Sequence, residues 1–387
     1  MKILVVFIDM VRVNQLNLFD VSKPETLLDR KLRKMGGTLF TRCYTPAPDT
    51  PRSNACMQTG LYPYFNGCDT RIKWPKYFIK EDITTIFDHA NDSGYTINAC
   101  IRRHTVETGL LKYKDSTKVT FFNDYHDFIE NAHISNNCLS FVYDPDWHTA
   151  ITDYHSTDKA FYEGDRVVSK LFEKYITESY YNQYDYVIIY SDHGFQFRKE
   201  NDSMRSKLEL LDDGRNQILL LIRKKEDTSI IRDNRLASMV DLYATIEKLI
   251  GKTDCRHGYS LLEEPRRKIL HIEDHQDFRV YPEVMIKQWR IITETYDVRT
   301  DAKDYSCGSN AQIIKEIESY LKEYSPKYTE YVKQLTVWKH YSELSNDTSD
   351  YYVVGEKRKS KLLLFLHNTI HKLKSILFKK CFSRKTF

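Results

Sequence analysis

The sequence lacks three features that would each have fixed a class of protein: a cysteine framework, a long apolar run and internal repeats. Its eight cysteines are scattered without a C-x-x-C pair, which indicates a reducing, cytoplasmic compartment. The apolar run at residues 1–8 stops at Asp9, so we expect neither a signal peptide nor a membrane span. Without repeats or low-complexity linkers, the 387 residues predict a globular chain with one large α/β domain or two ordinary ones.

Acidic residues are missing from the last segment, 357–387, which holds ten lysines and arginines. The basic character is therefore local, since the net charge of +4 becomes −6 once those ten charges are removed. Leucines and an isoleucine recur at helical spacing among the lysines, which indicates a basic amphipathic helix that binds anionic membranes. The alternative is a solvated helix docked on the body of the protein. Little aromatic interleaving argues against nucleic acid as a partner.

Short apolar runs that end in polar residues organise the rest of the chain. The run at 2–8 ends at Asp9, and the runs at 139–143 and 186–190 end in D-P-D-W-H and S-D-H-G. Alternating with helical patterns, they predict an α/β fold in which helices sandwich a mostly parallel central sheet. Side chains at the carboxyl ends of such strands lie where open α/β sheets build their sites. The alternative for Asp9 is a cap of the next turn.

Thr50 follows a proline-rich loop and precedes a helix-compatible run at 53–59. A hydroxyl at such a junction lies near free backbone N–H groups, which favour an anion such as phosphate or sulfate. Thr50 is therefore a candidate nucleophile that needs a base or a metal for its activation. The alternative is an ordinary N-cap or turn residue.

The strand ends, the Thr50 loop and a late His-Gly pair together supply carboxylates, imidazoles and one hydroxyl. These residues are Asp9, Thr50, Asp144, His148, Asp192, His193 and His257. Mixed His and Asp ligands without a thiolate predict two divalent cations, with zinc the best fit and manganese the next. One helical turn brings Asp144 and His148 to the same side. Three neighbours, Asp146, Asp153 and His155, remain alternatives for either member of that pair.

In their order along the chain, these motifs resemble the alkaline phosphatase superfamily, in particular its nucleotide pyrophosphatase/phosphodiesterase and sulfatase-like branches. The stretch TPRSNACMQTGLYP at 50–63 is similar to the phosphodiesterase nucleophile motif, with Thr first and Thr-Gly nine residues later. An Asp after the first strand, a D-x-x-x-H pair, an Asp-His-Gly and a late His-Gly follow the family's order. The resemblance covers roughly the first 262 residues, and it implies an alkaline phosphatase-like fold with a smaller C-terminal sheet.

The resemblance implies a role for each residue, with Thr50 as both nucleophile and metal ligand. One cation would be held by Asp144, His148 and His257, and the other by Asp9, Thr50, Asp192 and His193. The stretch GYTINACIRRH at 94–104 is similar to the second sulfatase signature, which places Arg102 and His104 at positions that contact the anion. Arg52 and Arg71 are two further candidates for gripping the substrate anion.

Three positions depart from the family's pattern. Sulfatases need Cys or Ser where Thr50 stands, and Asn54 replaces the arginine of their motif. Both departures argue against sulfate ester hydrolysis. Arg71 stands where the phosphodiesterases have an asparagine that assists the transition-state oxygen, which leaves the substrate open.

We therefore predict a cytoplasmic metalloenzyme that hydrolyses or transfers phosphomonoesters or phosphodiesters through a covalent phospho-threonine. The alternatives are a sulfatase, a transferase of phospho-substituents onto cell-envelope glycans or lipids, and an inactive binding scaffold. We expect a catalytic domain at 1–262, a smaller α+β subdomain at 263–355 and a basic tail at 356–387. The partners would be a small-molecule, glycan or lipid phosphoester and, through the tail, the inner face of the membrane.

Overall fold

A computed structural model gives the fold and describes residues 1–68, 79–101, 118–152, 157–195, 211–264, 267–275, 287–293, 297–299 and 319. The basic tail lies outside these ranges, so its amphipathic helix and its membrane contact stay predictions. Within them, no helix is both long enough and apolar enough to span a bilayer.

Strands and helices alternate along most of the described chain. The strands are β1 Lys2–Ile8, β2 Gly37–Phe40, β3 Cys43–Tyr44, β4 Thr96–Cys100, β5 Val119–Phe122, β6 Cys138–Asp144, β7 Tyr186–Ser191, β8 Leu220–Lys224, β9 Ile230–Asp233, β10 Ala237–Ser238, β11 Leu270–His275, β12 Lys287–Ile292 and β13 Asp297–Arg299. The helices are α1 Leu27–Met35, α2 Thr50–Thr59, α3 Pro63–Asn66, α4 Ile86–Asp92, α5 Tyr125–Asn131, α6 Asp146–Thr152, α7 Thr157–Lys174, α8 Glu178–Tyr181, α9 Asp213–Asn216 and α10 Met239–Leu249. A 3₁₀ turn spans Val13–Gln15.

An eight-stranded sheet forms the centre of the fold, in the order β5-β4-β6-β1-β7-β8-β2-β9. Neighbours from β5 to β7 pair in parallel, whereas β8 is antiparallel to both β7 and β2. Strand β1 lies inside the sheet, and its residues from Ile3 to Ile8 are buried because the run is apolar on both faces. The predicted α/β fold with a mostly parallel sheet is confirmed, and the antiparallel β8 is an addition that the apolar pattern alone did not specify.

Helices cover both faces of this sheet. On one face α2, α4 and α10 pack through residues that include Phe87 and Tyr243, and on the other α1, α7 and α8 pack through residues that include Leu32 and Leu171. Alternate residues of β1 enter the two clusters, as the period of two along a strand requires. Each fully buried side chain of this size contributes about 1.5–3 kcal/mol, so the two layers hold the central strands firmly in place.

A separate three-stranded antiparallel sheet is built from β11, β12 and β13. It confirms the smaller C-terminal sheet that the resemblance implied. The sheet is joined to the loop before α2, because the Glu273 amide donates a hydrogen bond to the Pro46 carbonyl at 2.8 Å. The predicted domain boundaries stay predictions.

Candidate active site

The carboxyl ends of three adjacent parallel strands carry the predicted aspartates. Strand β1 lies between β6 and β7, and Ile8 stands opposite both Asp144 and Ser191. Asp9 directly follows β1 and Asp192 directly follows β7. Both therefore lie beside Asp144 at the carboxyl ends of the strands. All three carboxyl groups are buried. The sequence therefore correctly predicted that these aspartates lie together at the carboxyl ends of neighbouring strands.

Asp9, Asp192 and His193 form a buried group whose candidate ligand atoms all lie within 4.8 Å of one another. The Thr50 hydroxyl joins this group, because its Oγ1 lies 3.3 Å from Asp9 Oδ1 and 3.4 Å from His193 Nε2. Four of the seven predicted metal-site residues are therefore brought together. They are the four that the resemblance assigned to one cation.

Backbone groups orient the two residues that follow β7. Asp192 Oδ1 accepts hydrogen bonds from the Met10 amide at 3.1 Å and from the His193 amide at 2.8 Å. His193 Nδ1 lies 2.7 Å from the Gly194 carbonyl, which can only accept, so Nδ1 carries the proton and Nε2 turns its lone pair toward Thr50. Met10 has a φ of 62°, an uncommon conformation for a residue with a side chain and one typical of functional sites.

Burial shifts the pKa values of Asp9, Asp192 and His193 in the directions that favour their neutral forms. Desolvation, followed by the charge of Asp192, raises the pKa of Asp9 to about 6. Desolvation likewise raises the pKa of Asp192 to about 6 and lowers the pKa of His193 to about 4. A bound cation would reverse this penalty by neutralising the carboxylates.

The donor set fits a divalent cation. Asp192 Oδ2 is buried and makes no hydrogen bond with any described residue, while the neutral Nε2 of His193 lies 3.4 Å from it. An orphaned carboxylate oxygen beside an imidazole lone pair and a hydroxyl is an arrangement that zinc and manganese accept. These residues can therefore hold one metal ion.

Helix α2 presents Thr50 to this group at its first turn. Asp49 is the N-cap, and its side chain accepts a hydrogen bond from the Arg52 amide. Ser53, one turn into the helix, donates to the Asp192 carbonyl at 2.9 Å. The helix that carries the candidate nucleophile is thus tied directly to the loop that carries two candidate ligands.

Asp144 and His148 lie on the other side of Asp9. The Asp9 amide donates to the Asp144 carbonyl at 3.0 Å, and His148 Nδ1 lies 3.6 Å from Asp9 Oδ2. Desolvation, followed by the charge of Asp146, raises the pKa of Asp144 to about 7. Asp144 Oδ1 accepts a hydrogen bond from the Asp146 amide at 2.8 Å. Asp146 is the first residue of helix α6, and this helix places His148 near Asp9.

His257 does not join Asp144 and His148 in the structure. Its ring accepts a hydrogen bond from the Tyr62 amide at 3.2 Å, and its own amide donates to the Gly60 carbonyl. Gly60 ends α2, whereas Thr50 begins it, and a ten-residue helix is about 15 Å long. The predicted grouping of His257 with the middle pair is therefore not formed, because the His-Gly motif lies at the opposite end of the nucleophile helix.

Arg52 is not available to grip a substrate. Its side chain is 1% exposed and is held by Asp49 and Asp274. This prediction from the sequence was wrong, since the guanidinium turns into the protein instead of toward the site. Five further candidates lie outside the described residues, and their roles stay predictions. They are Arg71, Arg102, His104, Asp153 and His155.

Two side chains near the site were missed. The Tyr143 hydroxyl donates to Asp9 Oδ2 at 2.8 Å, and the positive charge of Arg215 contributes to the lowered pKa of His193. Tyr143 precedes Asp144 at the end of β6, so its place at a strand end was the available signal. Arg215 lies in a polar stretch without a motif, and nothing in its sequence context marked it.

A scan against protein-family models found no match, and neither did a search of curated proteins. Solved structures do match. A 2-O GAG sulfatase has 13% identity and a TM-score of 0.61, covering 93% of this chain and 98% of its own. A phosphonate monoester hydrolase from Silicibacter pomeroyi has 13% identity and a TM-score of 0.55, covering 84% and 96%.

A protein in the alkaline phosphatase superfamily from Vibrio parahaemolyticus has 15% identity and a TM-score of 0.53, covering 77% of this chain and 78% of its own. The three likenesses confirm the fold that the sequence motifs implied. At these identities they show the fold alone, so the chemistry has to be argued from the residues of the site.

Proposed function

We propose that this protein is a metal-dependent enzyme that hydrolyses or transfers phosphate esters with Thr50 as its nucleophile. The observation that carries the proposal is the position of the Thr50 hydroxyl, 3.3 Å from Asp9 Oδ1 and 3.4 Å from His193 Nε2. The same hydroxyl stands in the first turn of α2, where the helix dipole favours a phosphate. A nucleophile, cation ligands and an anion-binding helix end therefore converge on one point.

Asp9, Asp192 and His193 would hold one cation, with the Thr50 oxygen as a further ligand. When bound, the cation supplies positive charge that lowers the pKa of the hydroxyl and offsets charge on the phosphate oxygens. Zinc, and then manganese, suits two carboxylates and an imidazole.

Asp144 and His148 are the candidates for a second cation beside the first. Asp144 Oδ2 is buried and has no hydrogen-bond partner within 3.5 Å among the described residues, although the Tyr125 hydroxyl acts to lower the pKa of this carboxyl group. A second divalent ion would therefore have this oxygen to bind. Because His257 lies at the far end of α2, a third protein ligand for this ion would have to come from another residue. One cation at the first position is the minimum that the proposal requires.

The chain's own groups supply the nucleophile and its orientation. The Thr50 oxygen attacks phosphorus in line with the bond to the leaving oxygen, and its proton passes to Asp9 Oδ1, to which the hydroxyl already donates. The leaving oxygen takes up a proton from solvent. That bond breaks with its electron pair on the leaving oxygen, and Thr50 becomes a phosphothreonine. Water or an acceptor hydroxyl then displaces the Thr50 oxygen from phosphorus. The identity of this acceptor separates a hydrolase from a transferase.

Sulfate ester hydrolysis is the second candidate function. It is supported by the structural likeness to a 2-O GAG sulfatase. The residue at position 50 argues against it, because Thr stands where the sulfatase motif has Cys or Ser. The two functions differ in the ester that the purified protein cleaves, so one assay separates them.

The test combines metal content by elemental analysis with hydrolysis of p-nitrophenyl phosphate, bis-p-nitrophenyl phosphate and p-nitrophenyl sulfate. We expect at least one divalent ion per chain and turnover of a phosphate ester that is lost in Thr50→Ala. The matched control is Thr228→Ala, which removes an exposed hydroxyl from the loop between β8 and β9 and should keep full activity. Turnover of the sulfate alone would favour the second candidate, and a metal-free protein without turnover would support the scaffold alternative.

A further inference from the structure

A buried ionic cluster joins the small C-terminal sheet to the loop that precedes Thr50. Arg52 contributes its guanidinium from α2, and Asp274 contributes its carboxylate from β11. The Arg52 side chain is 1% exposed and that of Asp274 is fully buried. Charges this deep are costly unless they are paired, so the cluster tolerates few arrangements other than the paired one.

The Asp274 carboxylate contacts two arginines, one through each oxygen. Oδ1 accepts from Arg52 at 2.9 Å, and Oδ2 lies 3.1 Å from the guanidinium of Arg215. Arg52 also holds Asp49, the N-cap of the helix that begins at Thr50. The first of these contacts therefore fixes the start of the nucleophile helix.

Arg215 carries the second contact to the other half of the site. Its guanidinium donates to the Pro48 carbonyl at 3.1 Å, in the loop before Thr50. Its backbone carbonyl accepts a hydrogen bond from the Gly194 amide at 2.8 Å, directly after His193. Asp274 is thus connected through Arg52 to the start of the nucleophile helix. Through Arg215 it is connected both to the loop before Thr50 and to the loop after His193.

We propose that Asp274 is a positioning residue that sets the distance between Thr50 and His193 by holding Arg52 and Arg215 together. The inference rests on the proposed function, because that function makes this distance matter. A displacement of about 1 Å between reacting groups costs about 100-fold in rate. On this proposal the small sheet is part of the active site, although none of its described residues is a candidate nucleophile or metal ligand.

The test uses Asp274→Asn, which keeps the shape of the side chain and removes its charge. The matched control is Asp233→Asn, because Asp233 makes a comparable two-point contact with Arg235, with distances of 3.0 and 2.7 Å, at the sheet edge on β9. Two readouts are taken on the full chain: kcat and KM for the phosphate ester that the wild type cleaves, and amide hydrogen exchange in peptides covering 43–59 and 192–195.

For Asp274→Asn we expect kcat to fall about 30- to 100-fold with KM changed less than about threefold. We also expect faster exchange in both peptides, whereas Asp233→Asn should leave both readouts near wild type. A folded Asp274→Asn protein with kcat within about threefold of wild type and unchanged exchange in both peptides overturns the proposal.

A second variant guards against loss of folding. Arg215→Gln changes a partly exposed position and removes both the positive charge and the nitrogen Nη2 that contacts Asp274 Oδ2 and the Pro48 carbonyl. It should lower kcat and speed exchange at 192–195, and wild-type values in both readouts would count against the proposal. Combining it with Asp274→Asn should cost little more than either change alone, because both break one connection.

The two proposals fail in different ways. If the wild type cleaves no ester, or if Thr50→Ala keeps full turnover, the proposed function is wrong, and the exchange measurement still decides whether Asp274 couples the two loops. If Thr50→Ala is inactive while Asp274→Asn is fully active with unchanged exchange, the proposed function stands and the positioning role is wrong.

Discussion

Stabilisation of the protein by a divalent cation should depend steeply on pH between 5 and 7.5. The cation and protons compete for the same carboxylates, since burial raises the pKa of both Asp9 and Asp192 to about 6. His193, with its pKa lowered to about 4, stays neutral across this range and adds nothing to the competition. The pH dependence of cation binding at the position formed by Asp9, Asp192 and His193 therefore belongs to the two aspartates.

The magnitude follows from the fraction of each carboxylate that is ionised. With a pKa of about 6, each is about one-tenth ionised at pH 5 and about nine-tenths ionised at pH 7. A site that needs both ionised therefore loses about 100-fold in apparent affinity between pH 7 and pH 5, which is about 2.7 kcal/mol. At an unfolding entropy of about 2.1 cal/mol/K per residue, this difference corresponds to about 3 °C in Tm for a chain of this length.

Without metal, the stability of the protein changes with pH in the opposite direction. A carboxylate with a raised folded-state pKa binds more protons in the folded state than in the unfolded state between pH 4 and 6. The free energy of unfolding of the metal-free protein therefore falls as pH rises through this window. Metal should restore stability at pH 7 and above, where the carboxylates are ionised, so the gap between the two conditions widens with pH.

The assay is thermal unfolding at pH 5, 6, 7 and 7.5, with EDTA or with saturating zinc or manganese at a fixed concentration. We expect a metal-induced rise in Tm of about 3 °C or more at pH 7.5 that shrinks toward zero at pH 5. Asp192→Asn should remove the rise, and Glu173→Gln, which changes an acid in a surface ion pair with Lys31, should keep it. An equal rise at pH 5 and 7.5 would refute the reasoning.

Three further predictions concern the residues that surround the site, the first with a matched control. Gly194→Ala places a Cβ 2.1 Å from the Gly214 carbonyl oxygen and should cost about 3 kcal/mol of stability. Gly94→Ala meets no atom within 4 Å but must adopt a φ of +75°, so it should cost only about 1 kcal/mol; equal losses in denaturant unfolding would contradict this. Tyr143→Phe removes the donor to the aspartate after β1 and should weaken metal binding about tenfold by calorimetry with little change in Tm. Trp147→Ala empties a fully buried position and should cost about 3–5 kcal/mol; a loss below 1 kcal/mol in urea unfolding would show that the helix after β6 repacks.

The aspartates at the strand ends could be predicted because their signal is local. Strands β1, β6 and β7 are continuous apolar runs, and the residue after or at the end of each is an aspartate. Parallel neighbours end at one edge of the sheet, so Asp9, Asp144 and Asp192 had to converge once the fold class was known. Thr50 could be added because its loop-to-helix junction is also readable over a few residues.

The contacts of Arg52 and His257 could not be predicted, because they depend on distances that local patterns do not contain. Arg52 lies two residues from the candidate nucleophile in sequence, yet its partner Asp274 is 222 residues away in the chain. His257 has the spacing of a ligand motif, but the packing of α10 and its following loop places it at the end of α2. The order of the motifs picked out both residues as candidates, but it does not contain the direction in which each side chain points.

The free energy of unfolding that the buried aspartates cost helps to distinguish an enzyme from the scaffold alternative. A carboxyl group whose pKa rises from 3.8 to about 6, as for Asp9 and Asp192, destabilises the folded state at neutral pH by about 3 kcal/mol. Asp144, with its pKa raised to about 7, adds a cost of similar size. The terms do not add, because the shift of Asp9 already includes the charge of Asp192, but each alone is a sizeable part of the about 5–15 kcal/mol that stabilises a typical domain. A scaffold without metal would gain stability from replacing any one of them, whereas an enzyme that binds a cation here recovers the cost each time the ion binds. The three buried aspartates at the carboxyl ends of β1, β6 and β7 therefore favour the proposed metalloenzyme over the scaffold alternative.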